Sequence, residues 1–538
     1  MARVEDWFLD ARERGNQASG IDRRRGDGRA WTEGNRVEAL VHGAEYYRRL
    51  LAALRTLRPG DVVAISDWRG DADQRLDGPG TELGKVLADL AERGVEVRAL
   101  LWRSHPSRAH FNEEPNLHLG HVVNQAGGEV LLDERVRGPG SQHQKLVLVR
   151  HPGREDEDVA FLGGIDLSHG RRDDERHLGD PQTVPLDRRY GPRPPWHDVQ
   201  LEVRGPAVGD LWVTFRERWE DPTPLDHRNP WRARLTRRVG QPRHPTPLPE
   251  LARDPGPAGP HAVQVLRTYP SKRPRLPFAP AGERSIARAY RKALWRARCL
   301  VYLEDQYLWS AEIAQELADA LRRSPALRLL AVVPRYPDQD GRLTGPPNRI
   351  GQQAALDLVR AAGGDRVAVY DLENEEGTPI YVHAKVCVID DVWVAVGSDN
   401  LNRRSWTHDA ELSAAVVDET RDRREPRDPA GLGDGARVLA RDLRLRLWRE
   451  HLGRGPGADG DLVDPVEGFA AWRSAAAALD AWHREHPGGD GAGRPPGQAR
   501  EHDPGRVQPW AAWWAGPVYR TLVDPDGRPR RLRRSGRF

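Results

Sequence analysis

The chain has 538 residues, too many for one core of ordinary size, so two or more domain-sized units are expected. Its 83 basic residues stand against 80 acidic ones, which excludes the footprint of a strongly basic nucleic-acid-binding domain and requires any anion site to be local. No stretch approaches the roughly 20 apolar residues that span a bilayer, and the start, MARVEDWFLDARERGN, has no apolar core behind a basic end, so a cytoplasmic location is expected. With only Cys299 and Cys387, a disulfide framework is excluded and buried free thiols are expected.

In chain order, Asn35 to Leu57 carries apolar residues at helical spacing and predicts a helix, which Arg-Pro-Gly breaks before the buried strand VVAIS. After Gly84 an amphipathic helix runs through the Gly94 stop into the strand VEVRALLW, and HQKLVLV, VAFLGG and VQLEV follow as strands. Residues 221–260 are rich in Pro and Arg and read as a linker. The second half repeats the pattern: helix SIARAYRKALWRAR, strand CLVYLE, helix AEIAQELADALRR, strand LRLLAVV, then YVHAKVCVID, VWVAVGS and ELSAAVV. This matching order predicts an α/β internal duplication, with units at 1–220 and 261–453. Residues 454–538 read as an extension with one helix, FAAWRSAAAALDAWHRE, a flexible stretch from Pro487 to Gly505, and a terminal segment, PVYRTLVDPDGRPRRLR, preferred as a hairpin over a phosphate-seeking arm.

The five lysines carry the most information, because two of them, Lys145 and Lys385, lie two residues after a histidine. Random placement of 19 histidines and five lysines would give roughly 0.2 such triplets. Strand alternation puts His143 with Lys145, and His383 with Lys385, on one face. Each pair is followed by a short strand and a small-residue turn: Gly163, Gly164 and Asp166 in one half, Gly397, Ser398 and Asn400 in the other. Histidine can attack phosphorus or shuttle a proton, and lysine can neutralise charge on equatorial oxygens, so the pairs point to phosphoryl chemistry that needs no metal or other cofactor. A lone His-x-Lys is more often strand packing; its twin occurrence in a lysine-poor chain reverses that reading. Each histidine needs an acceptor on its other ring nitrogen, for which Asp198 and Glu411 are the candidates.

With these residues the sequence resembles the phospholipase D superfamily, whose hallmark is a doubled H-x-K-x4-D motif followed by G-S/G-x-N/D. His383, Lys385, Asp390, Gly397, Ser398 and Asn400 match the full second motif. GGIDL, PWHDV, YLEDQYL, NRRSW and LRLRLWREHLG resemble its lipid-cleaving, eukaryotic-type branch. The resemblance implies two tandem α/β/α sandwich units with mixed sheets, related by a pseudo-twofold axis, with the site at their interface. It also implies that His143 attacks the phosphodiester, that His383 serves as acid and then base, that Lys145, Lys385 and Asn400 hold phosphoryl oxygens, and that Asp390 is structural; the near symmetry leaves the two histidine roles interchangeable. The first motif departs from the pattern: Arg150 stands where the family has aspartate, with Asp158, beyond the HPGREDED insertion, as a candidate replacement. Asp166 stands in place of asparagine and needs a donor or a proton beside phosphate.

Three functions fit these residues. The first is a phospholipase D hydrolysing phospholipids or exchanging their headgroups, with Trp510, Trp513 and Trp514 as candidate contacts to a membrane surface. A nuclease or other non-lipid phosphodiesterase, or a cardiolipin-synthase-like phosphatidyl transferase, shares the chemistry, although the balanced charge gives no expectation of a stable nucleic-acid partner. A catalytically silent phosphate-binding protein, with Arg150 marking a decayed half-site, is the third. His105, His110, His118 and His121 show no ligand spacing.

Overall fold

The computed structural model describes residues 3–103, 113–225, 241–251, 253–338, 345–487 and 493–538. In the first half the strands are β1 (Thr32–Val41), β2 (Val62–Asp67), β3 (Glu96–Trp102), β4 (Glu129–Asp133), β5 (Leu146–Arg150), β6 (Val159–Gly163), β7 (Trp196–His197) and β8 (Val199–Arg204). The second half contributes β9 (His261–Tyr269), β10 (Glu283–Arg284), β11 (Leu300–Asp305), β12 (Arg328–Val332), β13 (Val367–Leu372), β14 (Tyr381–Val382), β15 (Lys385–Ile389), β16 (Trp393–Gly397) and β17 (Glu411–Asp418), and the extension adds β18 (Ala499–Glu501).

The duplication is visible in the strand order. In the first half it runs β4-β3-β2-β5-β6-β8-β1, in the second β13-β12-β11-β15-β16-β17-β9. In each, three strands pair in parallel (β2, β3, β4; β11, β12, β13) and the rest antiparallel, giving two mixed sheets. The halves join edge to edge, β1 antiparallel to β9, with Thr32 opposite Val263 and Asn35 opposite His261.

Both faces of each sheet are covered, which is why the strands read as continuous apolar runs. On β2, Val63 and Ile65 pack with Leu50 and Leu87 of the helices Gly43–Leu54 and Leu83–Glu92, while Val62 and Ala64 face Leu211 and Phe215 of Ala207–Trp219. On β11, Val301 and Leu303 meet Ile286 and Ile313 of Ser285–Arg296 and Ala311–Arg323, and Leu300 and Tyr302 share a core with Leu447 and Trp448 of Val438–His451. Each such side chain contributes about 1.5–3 kcal/mol by burial. The expected α/β class and paired α/β/α units are therefore present. Both cysteines are buried and free, and among the described residues no helix is long and apolar enough to cross a membrane.

Three local expectations are corrected. Residues 35–41 form strand β1, not the start of a helix, because pairing with β8 on one edge and β9 on the other satisfies their backbone; the helix begins only after His42, whose φ of 74° turns the chain. Part of the stretch expected to be flexible is ordered: β18 pairs with β13, while residues 488–492 lie outside the described residues, as do His105, His110 and 226–240 of the expected linker. The terminal segment is helical at Pro509–Val518, Tyr519–Val523 and Arg530–Ser535 and forms no hairpin, since Asp524 turns away from strand pairing to accept from the Arg404 amide and the Tyr519 hydroxyl.

Candidate active site

His143 and His383 lie just ahead of β5 and β15, and each is steered by the opposite half of the chain. The His143 amide donates to the Ala410 carbonyl at 2.9 Å, and its Nδ1 meets the Glu411 carboxylate at 2.9 Å. The His383 amide donates to the His197 carbonyl at 2.8 Å, and its Nδ1 meets Asp198 at 2.7 Å. The arrangement is symmetric: Gln142 bridges Ala410 in parallel, and β14 pairs in parallel with β7, so the residue before each histidine lies beside the residue before its carboxylate. A carboxylate on Nδ1 fixes the tautomer with the proton there and leaves the Nε2 lone pair free.

Glu411 is fully buried and also accepts from Ser398 Oγ at 2.6 Å and Ser405 Oγ at 2.7 Å. Asp198 is equally buried and accepts its own Val199 amide at 2.9 Å. The glycine of each turn makes room for this packing. A Cβ on Gly164 would sit 2.1 Å from Asp198 Oδ1, and one on Gly397 1.8 Å from Ser413 Oγ, so the space they leave is filled by the neighbouring strand.

The two lysines converge between the histidines. Lys145 Nζ lies 3.0 Å from Asp166 Oδ1 and donates to the His143 carbonyl, while Lys385 donates to Gln306 Oε1 at 3.3 Å and to the His383 carbonyl. Burial pulls the Lys385 ammonium down to about 8, with Lys145 adding to the effect against the opposing Asp198. Burial, then the charges of Lys385 and Arg171, hold the His383 imidazole well below its ordinary range. His143 is the more open of the two, with 15% of its side chain exposed.

Asp166 finds the cationic partners its position requires, Lys145 at 3.0 Å and Arg171 at 3.5 Å. Against the cost of burial, Lys145 and then Arg171 hold it below the usual carboxylate range. Asp67, at the end of β2, is pushed well above that range by burial and then by the charge of Asp166. Asn400 occupies the matching turn with its Oδ1 buried and unpartnered. Asp390 accepts the amides of Arg298, Cys299 and Leu300, each at 2.8 Å, and so ties the hairpin to the start of β11. Asp158 does not reproduce this: it pairs with Arg150 Nε at 2.5 Å and closes its own hairpin.

The sequence reading did not single out Asp67, Arg171, Trp196, Gln306 or Ser405. Trp196 packs against the His383 ring, with centroids 4.8 Å apart and planes tilted by 37°, and the Arg171 guanidinium lies 3.9 Å from the centre of the Trp196 ring. Asp67 was recoverable from the repeat, since it ends β2 as Asp305 ends β11; Arg171, in an irregular segment, has no comparable signal.

A family model described as phospholipase D matches residues 61–229, and one described as the cardiolipin synthase, PLD-like domain matches residues 290–423. Phospholipase D alpha 2 of Oryza sativa subsp. japonica is 25% identical over 508 residues, covering 71% of this chain and 60% of that protein. Phospholipase D A of Dictyostelium discoideum is 28% identical, covering 58% of this chain and 27% of that protein, and phospholipase D1 of Saccharomyces cerevisiae is 25% identical, covering 80% and 29%. The chain thus spans at most about 60% of these relatives' length. Among solved structures, phosphatidylserine synthase of Haemophilus influenzae aligns at 14% identity and a TM-score of 0.47 over 71% of this chain and 82% of its own. The two family models each contain one of the two His-x-Lys strands, and the chain belongs to the phospholipase D superfamily.

Proposed function

We propose that the protein is a phospholipase D-type phosphodiesterase acting on phospholipids through a phosphohistidine. The observation that carries this is the crossed pairing: each histidine takes its Nδ1 acceptor from the other half, which leaves two free Nε2 atoms beside two buried lysines. In this reading His143 Nε2 attacks phosphorus and the bond to the leaving oxygen breaks, with His383 protonating that oxygen. His383 then takes a proton from water, which attacks the phosphohistidine and restores His143. Lys145, Lys385 and Asn400 hold the phosphoryl oxygens as charge gathers there. His383 is neutral at rest; the charge of an entering diester offsets that of Lys385 and Arg171, so the acid is loaded as substrate binds.

Two observations favour a lipid. The curated relatives are named phospholipases D, and Trp510 and Trp513 stand 72% and 84% exposed on the helix Pro509–Val518, suited to a membrane interface. The second family model's name favours phosphatidyl transfer as a variant, in which an alcohol replaces water in the second step.

The test is headgroup release from phosphatidylcholine vesicles with a primary alcohol present, for the native protein and for His143→Ala and His383→Ala. Release abolished in both variants, with a phosphatidyl-alcohol adduct from the native protein, is the expected result. Absence of release from any phospholipid, alongside cleavage of single-stranded DNA, would replace the lipid reading with a nuclease.

A further inference from the structure

Behind His383 lies a second cluster of histidines that the proposed reaction does not use. His42 follows β1, His177 sits between β6 and β7, His197 ends β7, and Glu450 lies in the last turn of Val438–His451. One ligand atom of each lies within 4.8 Å of every other. From this geometry we infer that His42, His177, His197 and Glu450 form a binding site for a divalent metal of the zinc class.

Four observations support the assignment. The nitrogens facing Glu450 are His42 Nε2 and His177 Nε2, each at 3.0 Å, and His197 Nδ1 at 3.7 Å. The last has no hydrogen-bond partner although its residue is fully buried. The outer nitrogens of two rings are already engaged: His197 Nε2 with Glu304 at 2.8 Å, and His177 Nδ1 with the Trp196 carbonyl at 3.2 Å. A carboxylate or carbonyl on the outer nitrogen is the arrangement that turns the inner lone pair toward a metal. The three ring centroids stand 4.8, 5.1 and 5.7 Å apart, where three imidazoles on a tetrahedral ion with bonds of about 2.0–2.1 Å would be about 5 Å apart. His42 and His177 also have φ of 74° and 51°, backbone that non-glycine residues seldom adopt and that marks positions held for a purpose.

A donor set of three imidazoles and one carboxylate suits zinc or cobalt and not calcium or magnesium, which take oxygen. A 970 Å³ surface cleft lined in part by His42 and Glu450 provides the route in. The ion would stand off from the reacting atoms as a positioning element, because His197 lies in the chain between Trp196, which packs against the His383 ring, and Asp198, which holds it.

The experiment is metal analysis of the full-length protein after equilibration with zinc and removal of free ion, with cobalt as a spectroscopic probe. About one equivalent should be retained, and the cobalt form should show the intense visible bands of a tetrahedral ion. Glu450→Gln and His177→Ala should abolish both, Glu304→Gln should weaken zinc binding about 10–100-fold, and His383→Ala should leave it unchanged. Less than about a tenth of an equivalent of either metal on folded native protein, or cobalt bound with the pale spectrum of an octahedral ion, would overturn the assignment whatever the variants do.

Discussion

Replacing Glu411 by Gln removes one negative charge from a fully buried position without changing side-chain length. The amide oxygen can stay within reach of His143, now 2.9 Å away, and the amide nitrogen can face Ser405, so the lost quantity is the charge assisting the His143 bond. Hydrogen bonds to a charged group contribute about 1.5–3 kcal/mol and neutral ones about 0.5–1.5. The difference, about 1–2 kcal/mol, falls on the states of the proposed reaction in which the His143 ring carries positive charge, namely the phosphohistidine and the transition states flanking it. A fall in kcat of roughly 5–30-fold follows, with KM little changed. Steady-state headgroup release measures it, and a melting curve confirms that the variant is folded. A Glu411→Gln protein with kcat within about twofold of native and an unaltered melting curve would refute the argument, since a buried carboxylate that orients a working histidine cannot be neutralised without cost.

The other expectations are briefer. Lys385 is charged below about 8 and neutral above it, so kcat/KM should fall as pH rises through that value; Lys385→Arg, whose charge persists, should move this alkaline limb upward, and an unmoved limb would assign it to another group. Gly164→Ala should lower kcat at least about tenfold, because its Cβ would meet Asp198 Oδ1 at 2.1 Å, while Gly460→Ala, which meets nothing within 4 Å, should match native in the same assay. Asp133→Asn should cost about 3–5 kcal/mol in urea denaturation, because it strips the carboxylate from the buried guanidinium groups of Arg135 and Arg218, at 2.9 and 2.7 Å. At low pH the same loss should appear in native protein: Arg135 and Arg218 overcome the burial cost and hold Asp133 below its ordinary range, so its contribution is complete above about pH 4 and wanes as pH falls through the unfolded value.

The paired α/β units could be read from sequence because doubly covered strands such as VVAIS and CLVYLE are apolar throughout and repeat in order with their helices. Strand β1 could not, since an edge-joining strand with Val37, Leu40 and Val41 buried carries a pattern that also fits a helix, and only the pairing with β8 and β9 decides. At the site, residue identities were legible and partnerships were not. Asp198 and Glu411 were candidates by their parallel placement, yet which histidine each serves is set by β14 crossing to β7 and Gln142 crossing to Ala410, contacts between segments some 185 and 268 residues apart. Asp166 looked like a liability in isolation; the cations that answer it, Lys145 and Arg171, come from other segments of the same half.

The exchange of carboxylates between halves means that neither half owns a complete reaction centre. During synthesis His143 emerges long before Glu411, and His383 long after Asp198, so a growing chain holds one histidine with nothing to hold it and one carboxylate with nothing to hold. On the proposed function, cleaving power is thereby withheld until both halves have folded and docked edge to edge through β1 and β9. A chain truncated anywhere before Glu411 would be inert, and separately made halves would acquire activity only on reassembly.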